Sequence, residues 1–180
     1  PQGLADAMGG RAAFQAMLDR FFFGLKPSAG AEYLGQEALI GQYAHGNEPS
    51  HHIAWLYTYT DAPEIGHQLV SRIARNFYKD SPAGIIGNED AGQMSAWYVF
   101  ATLGFYPVQP ASGTYVAGIP LVRRASIRVP GHATLAIERT GSGDRLLRVS
   151  LGGQPLSALA IPHRHLARGG TLRFATTPVR

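Results

Sequence analysis

The feature that most restricts the fold of this chain is a change of sequence pattern at Gly104. Before it, apolar residues recur at every third or fourth position, as they do in helices that pack along one face. After it, short segments alternate polar and apolar residues between glycine-rich turns, as strands with one solvated face do. This order predicts an α+β fold in which helices and strands occupy separate parts of the sequence.

The clearest predicted helix covers residues 62–78. Asp61 precedes it as the predicted cap, and Glu64, three residues on in its first turn, completes the spacing of a capping box. Its apolar residues recur at every fourth position: Ile65, Leu69, Ile73 and Phe77. Three further helices are predicted over residues 11–23, 50–59 and 93–103, the last ending at Gly104.

The alternating segments after Gly104 predict antiparallel strands that form part of a β-sandwich. They cover residues 126–129, 134–138, 147–150 and 171–174. We therefore expect a helical region over residues 1–107 and a strand region over residues 108–180.

Charge is divided in the same way. Residues 1–114 hold six Lys and Arg against ten Asp and Glu, whereas the remainder holds ten against two. The basic residues of the second part form no run, and Arg128, Arg139, Arg148 and Arg173 stand singly, so they suit a solvated sheet face or an acidic neighbouring domain better than a nucleic acid. We expect no nucleic-acid partner.

The class of protein is limited by several absences in the sequence. No apolar run reaches the length of a membrane span, and no signal peptide opens the chain. The absence of Cys excludes disulfides and thiolate metal sites. The chain begins at Pro1 and its first Met is Met8, so we expect a fragment or a processed product.

The residues best suited to catalysis or binding are concentrated in two polar segments. The first polar segment (residues 42–52) holds Glu48, Asn47 and three imidazoles, and the second polar segment (residues 87–97) holds Glu89 and Asp90. Each precedes a predicted helix, so capping is one interpretation of their polar residues. Carboxylates beside His, Asn, Gln and Trp are also what a sugar site needs, for proton transfer, hydroxyl recognition and ring stacking.

These segments resemble glycoside hydrolase family 92, the calcium-dependent exo-α-mannosidases. The resemblance lies in residues 45–52 (His-Gly-Asn-Glu-Pro-Ser-His-His), in residues 87–100 (Gly-Asn-Glu-Asp-Ala-Gly-Gln-Met-Ser-Ala-Trp-Tyr-Val-Phe) and in residues 103–107 (Leu-Gly-Phe-Tyr-Pro). It extends to a tail that includes residues 115–120, His163 and Gly169. The order of the two long motifs makes a chance match improbable.

The resemblance implies helices that complete an (α/α)6 toroid, followed by antiparallel strands of a β-sandwich. It implies inverting cleavage of terminal α-mannosides, with Asp90 as general base assisted by Asn88 and with Glu89 beside it. Asn88 departs from members that carry a second Asp at that position. The general acid is expected upstream of Pro1, so the chain alone is expected to be inactive without the missing N-terminal portion.

The resemblance also implies a calcium ion beneath the bound mannose. The oxygen ligands on offer are Glu48, Asn47 and Asp90. Imidazoles are poor calcium ligands, so we expect His51 and His52 to bind sugar hydroxyls or to hold the loop. Gln93 and Glu48 complete the predicted substrate-binding set.

The mannosidic linkage is not set by these motifs. The stretch from residue 26 to residue 39 is the nearest candidate determinant, with Glu32, Gln36 and Glu37. The family acts on glycans outside the cytoplasm, such as N-glycans, which implies a secreted or periplasmic location.

Two other functions remain open at this point. The first is a non-catalytic carbohydrate-binding or structural module, which the strand region alone would support. Such a module has no need of a carboxylate segment like residues 88–90. The second is a related toroid glycosidase that acts on another sugar.

Overall fold

The computed structural model describes residues 1–24, 39–128 and 130–178. The chain divides into two compact units, Pro1–Val99 and Phe100–Arg180. The division falls within a helix, ahead of the boundary predicted after residue 107. Glu32, Gln36 and Glu37 lie outside the described residues.

The first unit is built from short helical segments and one longer helix. Its elements are α1 (Gln2–Ala7), α2 (Arg11–Asp19), a π-helical turn (Arg20–Gly24), β1 (Leu39–Ile40), β2 (Tyr43–Ala44), two 3₁₀ segments (Glu48–Ser50 and Ile53–Tyr59) and α3 (Pro63–Asn76). Helix α4 (Gln93–Leu103) begins in this unit and agrees with the prediction at both ends. None of the helices in the described ranges is long and apolar enough to cross a membrane.

The capping box predicted at the start of α3 is wrong. Ala62 precedes the helix, and no side chain caps its first turn. The carboxylate of Asp61 instead lies 2.8 Å from Nε of Arg11, as an exposed ion pair between distant parts of the sequence. Asp61 therefore pairs with Arg11, which is distant in sequence, instead of capping the helix that follows it.

Helix α3 packs closely against the 3₁₀ segment Ile53–Tyr59. A Cβ at Gly66 would lie 2.8 Å from both the carbonyl oxygen of Ala54 and Cβ of Tyr57, so only glycine permits this approach. Tyr57 is fully buried, and its hydroxyl donates a 2.8 Å hydrogen bond to Asp19. Burial, together with this carboxylate, raises the pKa of Tyr57.

The second unit contains the strands. They are β3 (Phe105–Tyr106), β4 (Thr114–Ala117), β5 (Arg124–Ile127), β6 (Leu135–Gly141), β7 (Arg145–Leu151), β8 (Gln154–Leu156), β9 (Ile161–Pro162) and β10 (Gly170–Thr177), with a 3₁₀ turn (Pro110–Ser112) before β4 and α5 (His163–Ala167) before β10. The four predicted strands correspond to β5, β6, β7 and β10, whose ends differ from the predicted ones by a few residues.

The larger sheet is not purely antiparallel, which corrects the prediction. Its strand order is β5-β6-β10-β7-β8. Strand β10 is antiparallel to β7 but parallel to β6, with Leu172 opposite Ile137. The sequence pattern predicted strands correctly but carried no information on which strand lies between β6 and β7.

The turn from β6 to β7 passes over the end of β10. Gly141 has a φ of +82°, and a Cβ there would lie 2.0 Å from the carbonyl oxygen of Thr176. Any side chain at this position would push the turn away from β10. Glycine is therefore required by the inserted strand as well as by the backbone conformation.

One apolar core lies against this sheet. Its buried members are Phe105, Ala117, Leu135, Ile137, Val149, Ile161, Leu166, Leu172 and Phe174. Phe174 and Leu172 of β10 are completely buried, whereas Leu147 of β7 is 61 % exposed. The central strand thus supplies two completely buried side chains to the core.

We expect Phe174→Ala to lower the free energy of unfolding by about 3–5 kcal/mol, because it removes a buried ring and leaves a cavity. The matched control Leu147→Ala should change it by about 0.5 kcal/mol or less, since that side chain is exposed. Urea unfolding of the purified chain measures both. Equal effects from the two substitutions would contradict this account of the core.

Candidate active site

The two polar segments meet through their backbones in the first unit. Gly87 has a φ of +76°, and a Cβ there would lie 2.8 Å from the carbonyl oxygen of Gly46. The two segments can approach this closely only because position 87 is glycine. The segments that the sequence separates by more than thirty residues therefore form one site.

A buried imidazole joins the segments a second time. Nδ1 of His45 lies 2.8 Å from the hydroxyl of Tyr43, and its Nε2 lies 2.7 Å from the hydroxyl of Tyr78. The Tyr78 hydroxyl donates in turn to the carbonyl oxygen of Met94, at 3.0 Å. His45 is thus connected to the first turn of α4 through one tyrosine.

The donors and acceptors in this chain of hydrogen bonds are determined. The only hydroxyl hydrogen of Tyr78 is donated to the carbonyl oxygen of Met94, so the Tyr78 oxygen accepts a hydrogen bond from His45 Nε2. His45 Nδ1 then carries no proton and accepts from Tyr43. His45 is therefore the neutral tautomer with its proton on Nε2.

His51 forms the third connection. Its Nε2 donates to the carbonyl oxygen of His45 at 3.0 Å, and its Nδ1 accepts from the side-chain amide of Gln93 at 3.3 Å. Its own carbonyl oxygen accepts from Nε1 of Trp97 at 3.0 Å. His51 is 1 % exposed. Both ring nitrogens are used within the chain, so this arrangement favours the loop-holding role over sugar binding.

Aromatic rings surround the two imidazoles. The rings of His45 and His51 stack with centroids 4.8 Å apart, and Trp97 meets His45 edge-on at 4.4 Å. Tyr78 stacks on Trp97 at 5.9 Å and meets His45 edge-on at 5.5 Å. His45, His51 and Trp97 of this cluster are buried, and both polar segments contribute to it.

This environment keeps both histidines uncharged. Burial, together with a smaller effect of the neighbouring His51, lowers the pKa of His45 to about 3. Burial also lowers the pKa of His51, against the opposing effect of its hydrogen bond to the His45 backbone. The pKa of His52 is lowered by burial as well, although that ring is only partly buried.

The second polar segment reaches α4 through a left-handed turn. Asp90 and Ala91 have φ values of +46° and +56°, and Gly92 follows at +92°. Asp90 is exposed, and its carboxylate makes no hydrogen bond or ion pair with the residues that the structure describes. Asn88 beside it is also exposed. Both side chains are available to water or a ligand.

Glu89 differs from its neighbours. Its Oε1 accepts from the backbone N–H of Ser95 at 3.0 Å, and its Oε2 accepts from the Ser95 hydroxyl at 2.9 Å. Both carboxylate oxygens are therefore occupied at the start of α4.

The remaining predicted residues lie on the first polar segment. Oε1 of Glu48 is buried without a hydrogen-bond partner. Asn47 is exposed, and its backbone carbonyl accepts from the hydroxyl of Ser50 at 2.8 Å. Within the ranges that the structure describes, no group of three or more His, Cys, Asp or Glu side chains is arranged to hold a metal ion. These residues would supply only part of a calcium shell.

A concave surface of about 450 Å³ lies beside the second polar segment. Tyr78, Ile85, Ser95 and Tyr98 are among its lining residues, whereas Asp90 and Glu48 are not. The carboxylates proposed for chemistry therefore do not line this concavity.

Sequence reasoning missed the structural centre of the site. Tyr43, Tyr78 and Ser95 were not among the predicted residues, and His45 was named only as part of a motif. A histidine and two tyrosines far apart in a sequence give no signal that they share hydrogen bonds. Trp97 was the one accessible clue, since a Trp that ends a polar motif suggests a buried anchor.

The comparisons with known proteins decide the family. The sequence model of the glycosyl hydrolase family 92 catalytic domain matches residues 1–178. The chain belongs to glycosyl hydrolase family 92. This confirms the resemblance on which the prediction of a glycoside hydrolase rested.

Solved family 92 structures share the fold. An α-mannosidase from Bacteroides thetaiotaomicron in complex with mannoimidazole superposes with a TM-score of 0.82 at 31 % identity, over 92 % of this chain and 22 % of its own. An inverting mannosidase from the same organism gives 0.77 at 31 % identity, over 97 % and 25 %. A curated relative, an uncharacterized secreted glycosidase of Arthroderma benhamiae, is 29 % identical over 95 % of this chain and 21 % of its own length. The family 92 chain thus spans about a fifth to a quarter of the relatives that it matches.

We expect the stability of this family 92 chain to fall as the pH is lowered from 6.5 towards 3. The pKa of His45 is about 3 in the folded state, against 6.5 for an exposed imidazole, so the unfolded state binds the extra proton in this window. The stabilisation is complete above pH 6.5 and is lost at about 1.4 kcal/mol per pH unit below it.

Urea unfolding between pH 7.5 and pH 4 measures this dependence. His45→Gln removes the titrating group, so its slope between pH 6.5 and pH 4 should be clearly smaller than that of the unaltered chain. Parallel slopes for the two proteins would show that His45 is not the group responsible.

Proposed function

We propose that this chain is the C-terminal part of an exo-acting, inverting α-mannosidase that hydrolyses terminal α-mannosides of glycans with the help of calcium. The observation that carries the proposal is the meeting of the two polar segments at Gly46 and Gly87, with Asp90 exposed beside them. Membership of family 92 and the mannosidase activity of the structural relatives support it. In the full-length protein, we infer that the helices complete an (α/α)6 toroid.

Asp90 is the proposed general base. An exposed carboxylate without a protein partner can accept a hydrogen bond from water and remove its proton as the water attacks the sugar. Asn88, next to it, can orient that water through its side-chain amide. In an inverting reaction the acid and base stand roughly 6.5–9.5 Å apart, which leaves room for the water.

The general acid is proposed to come from a part of the protein outside this chain. Glu89 is a poor candidate because both of its oxygens accept hydrogen bonds from Ser95. Glu48, with one unpartnered oxygen, is better suited to a cation than to proton donation.

Glu48 fits a calcium site because a buried carboxylate oxygen without a donor is stabilised by a hard cation. Asn47 and Asp90 would add oxygen ligands, and the rest of the shell would come from water, substrate or other parts of the protein. Bound calcium would supply a positive charge that orients sugar hydroxyls. The side chains of His52 and Gln93 are the proposed contacts from this chain to the sugar hydroxyls.

The proposed location is outside the cytoplasm, in the medium or the periplasm, where mannose-containing glycans such as N-glycans are found. Its support is the curated relative, which is described as a secreted glycosidase.

We expect Asp90→Asn in the full-length enzyme to lower kcat by about 10²–10⁴-fold, because general-base help acts in the transition state. KM should change little for the same reason. Single-turnover hydrolysis of an aryl α-mannoside measures the chemical step. The control is Asp6→Asn, an exposed carboxylate on α1 of the same unit, which should stay within about twofold of the unaltered enzyme. A loss below tenfold for Asp90→Asn would exclude it as the base.

We expect Glu48→Gln to weaken calcium binding by about tenfold to a hundredfold, because it removes the charge of one oxygen ligand. Calorimetric titration of the chelator-treated full-length protein with calcium gives the affinity directly, without an activity assay. Glu64→Gln, in the first turn of α3, is the matched control. Unchanged affinity in Glu48→Gln would remove Glu48 from the site.

A further inference from the structure

The turn that carries Asp90 adopts a backbone conformation that side-chain-bearing residues rarely accept. Asp90 and Ala91 are the non-glycine residues with positive φ in the described parts of the chain, and they are consecutive. Gly92 continues the same handedness at +92°. Such a pair persists only where the surroundings hold it.

Two kinds of contact hold this turn. Two backbone hydrogen bonds cross it at 3.3 Å, from Gln93 N–H to the carbonyl of Asp90 and from Met94 N–H to the carbonyl of Glu89. The Glu89 carboxylate adds the two shorter contacts with Ser95, at 3.0 Å and 2.9 Å. Charge-assisted hydrogen bonds are the stronger kind, so the carboxylate is the main restraint.

The position of Glu89 also suits restraint rather than proton transfer. Its carboxylate folds forward over the turn and meets the first turn of α4, where unpaired N–H groups and the helix dipole favour a negative charge. A Cβ at Gly92 would lie 4.0 Å from Oε1, so the carboxylate lies alongside the turn in ordinary contact distance. Asp90, one residue on, has no such contact and faces outward.

We propose that Glu89 is a positioning residue, whose carboxylate binds Ser95 and thereby holds the left-handed turn that presents Asp90 to the attacking water. This inference rests on the proposed role of Asp90 as general base. It assigns the two adjacent carboxylates different tasks: Asp90 contacts the reacting water, and Glu89 acts through Asp90. It also assigns a task to Ser95, which donates hydrogen bonds to the carboxylate from both its backbone amide and its hydroxyl.

Activity of the full-length enzyme tests the proposal. Glu89→Ala should lower kcat by about tenfold to a hundredfold with KM within about twofold, since a small misplacement of a catalytic group has effects of this size. Glu89→Gln should retain more activity, because its side-chain oxygen still accepts one of the two hydrogen bonds. Ser95→Ala should fall between them, since the amide of residue 95 remains.

A second substitution separates positioning from chemistry. Ala91→Gly lowers the conformational cost of the left-handed turn, so adding it to Glu89→Ala should restore a large part of kcat. Azide or formate, which can replace a missing catalytic carboxylate, should not restore it. If Glu89 were the acid or base, azide or formate would restore activity, Ala91→Gly would not, and Glu89→Gln would be as slow as Glu89→Ala.

Hydrogen exchange gives a readout that does not depend on activity. The amide of Ser95 should exchange faster in Glu89→Ala than in the unaltered enzyme, and Glu89→Gln should lie close to the unaltered rate. Unchanged exchange in Glu89→Ala would overturn the contact. Normal kcat in Glu89→Ala, with Asp90→Asn inactive, would overturn the positioning role alone, whereas full activity in Asp90→Asn would overturn the proposed function itself.

Discussion

The neutral imidazole of His45 is the interaction on which the site depends. It lies at the centre of the first unit, with one ring nitrogen held by Tyr43 and the other by Tyr78. Through Tyr78 it reaches the backbone of Met94, and through its own carbonyl oxygen it holds His51. Burial keeps His45 uncharged, and the hydrogen bond from Tyr78 to the carbonyl oxygen of Met94 leaves the ring proton on Nε2.

From this centre outward, the side chains become progressively more accessible. His51 and Trp97 are buried and use their polar groups internally. Glu89 is partly exposed and holds the start of α4, while Asp90 and Asn88 are exposed and without such restraints. Rigid support beneath and available polar groups above are what a site for sugar hydrolysis requires, because catalytic groups must be held in place before the substrate arrives.

The sequence predicted what is local and missed what is tertiary. Helix α4 was predicted to the residue, since an apolar run that ends at glycine is sufficient evidence. The segment Ile53–Tyr59 was predicted as a short helix but is a 3₁₀ segment buried on nearly all sides, so its residues show no periodicity. Alternation located the strands but could not reveal that β10 is parallel to β6. In the site, Glu89 and Asp90 are adjacent acidic residues that the sequence does not distinguish, and only the hydrogen bonds of Glu89 to Ser95 show that their roles differ.

The insertion of β10 between β6 and β7 affects the order in which this protein can be made. Strands β6 and β7 leave the ribosome first, joined by a short turn, and nothing in their own sequence prevents them from pairing with each other. Their proper neighbour emerges only after β8, β9 and α5 have been synthesised. Until then each strand exposes an unpaired edge and an apolar face, the usual conditions for mispairing and aggregation. Once β10 lies between them, with Thr176 against the turn at Gly141, β6 and β7 can no longer pair with each other.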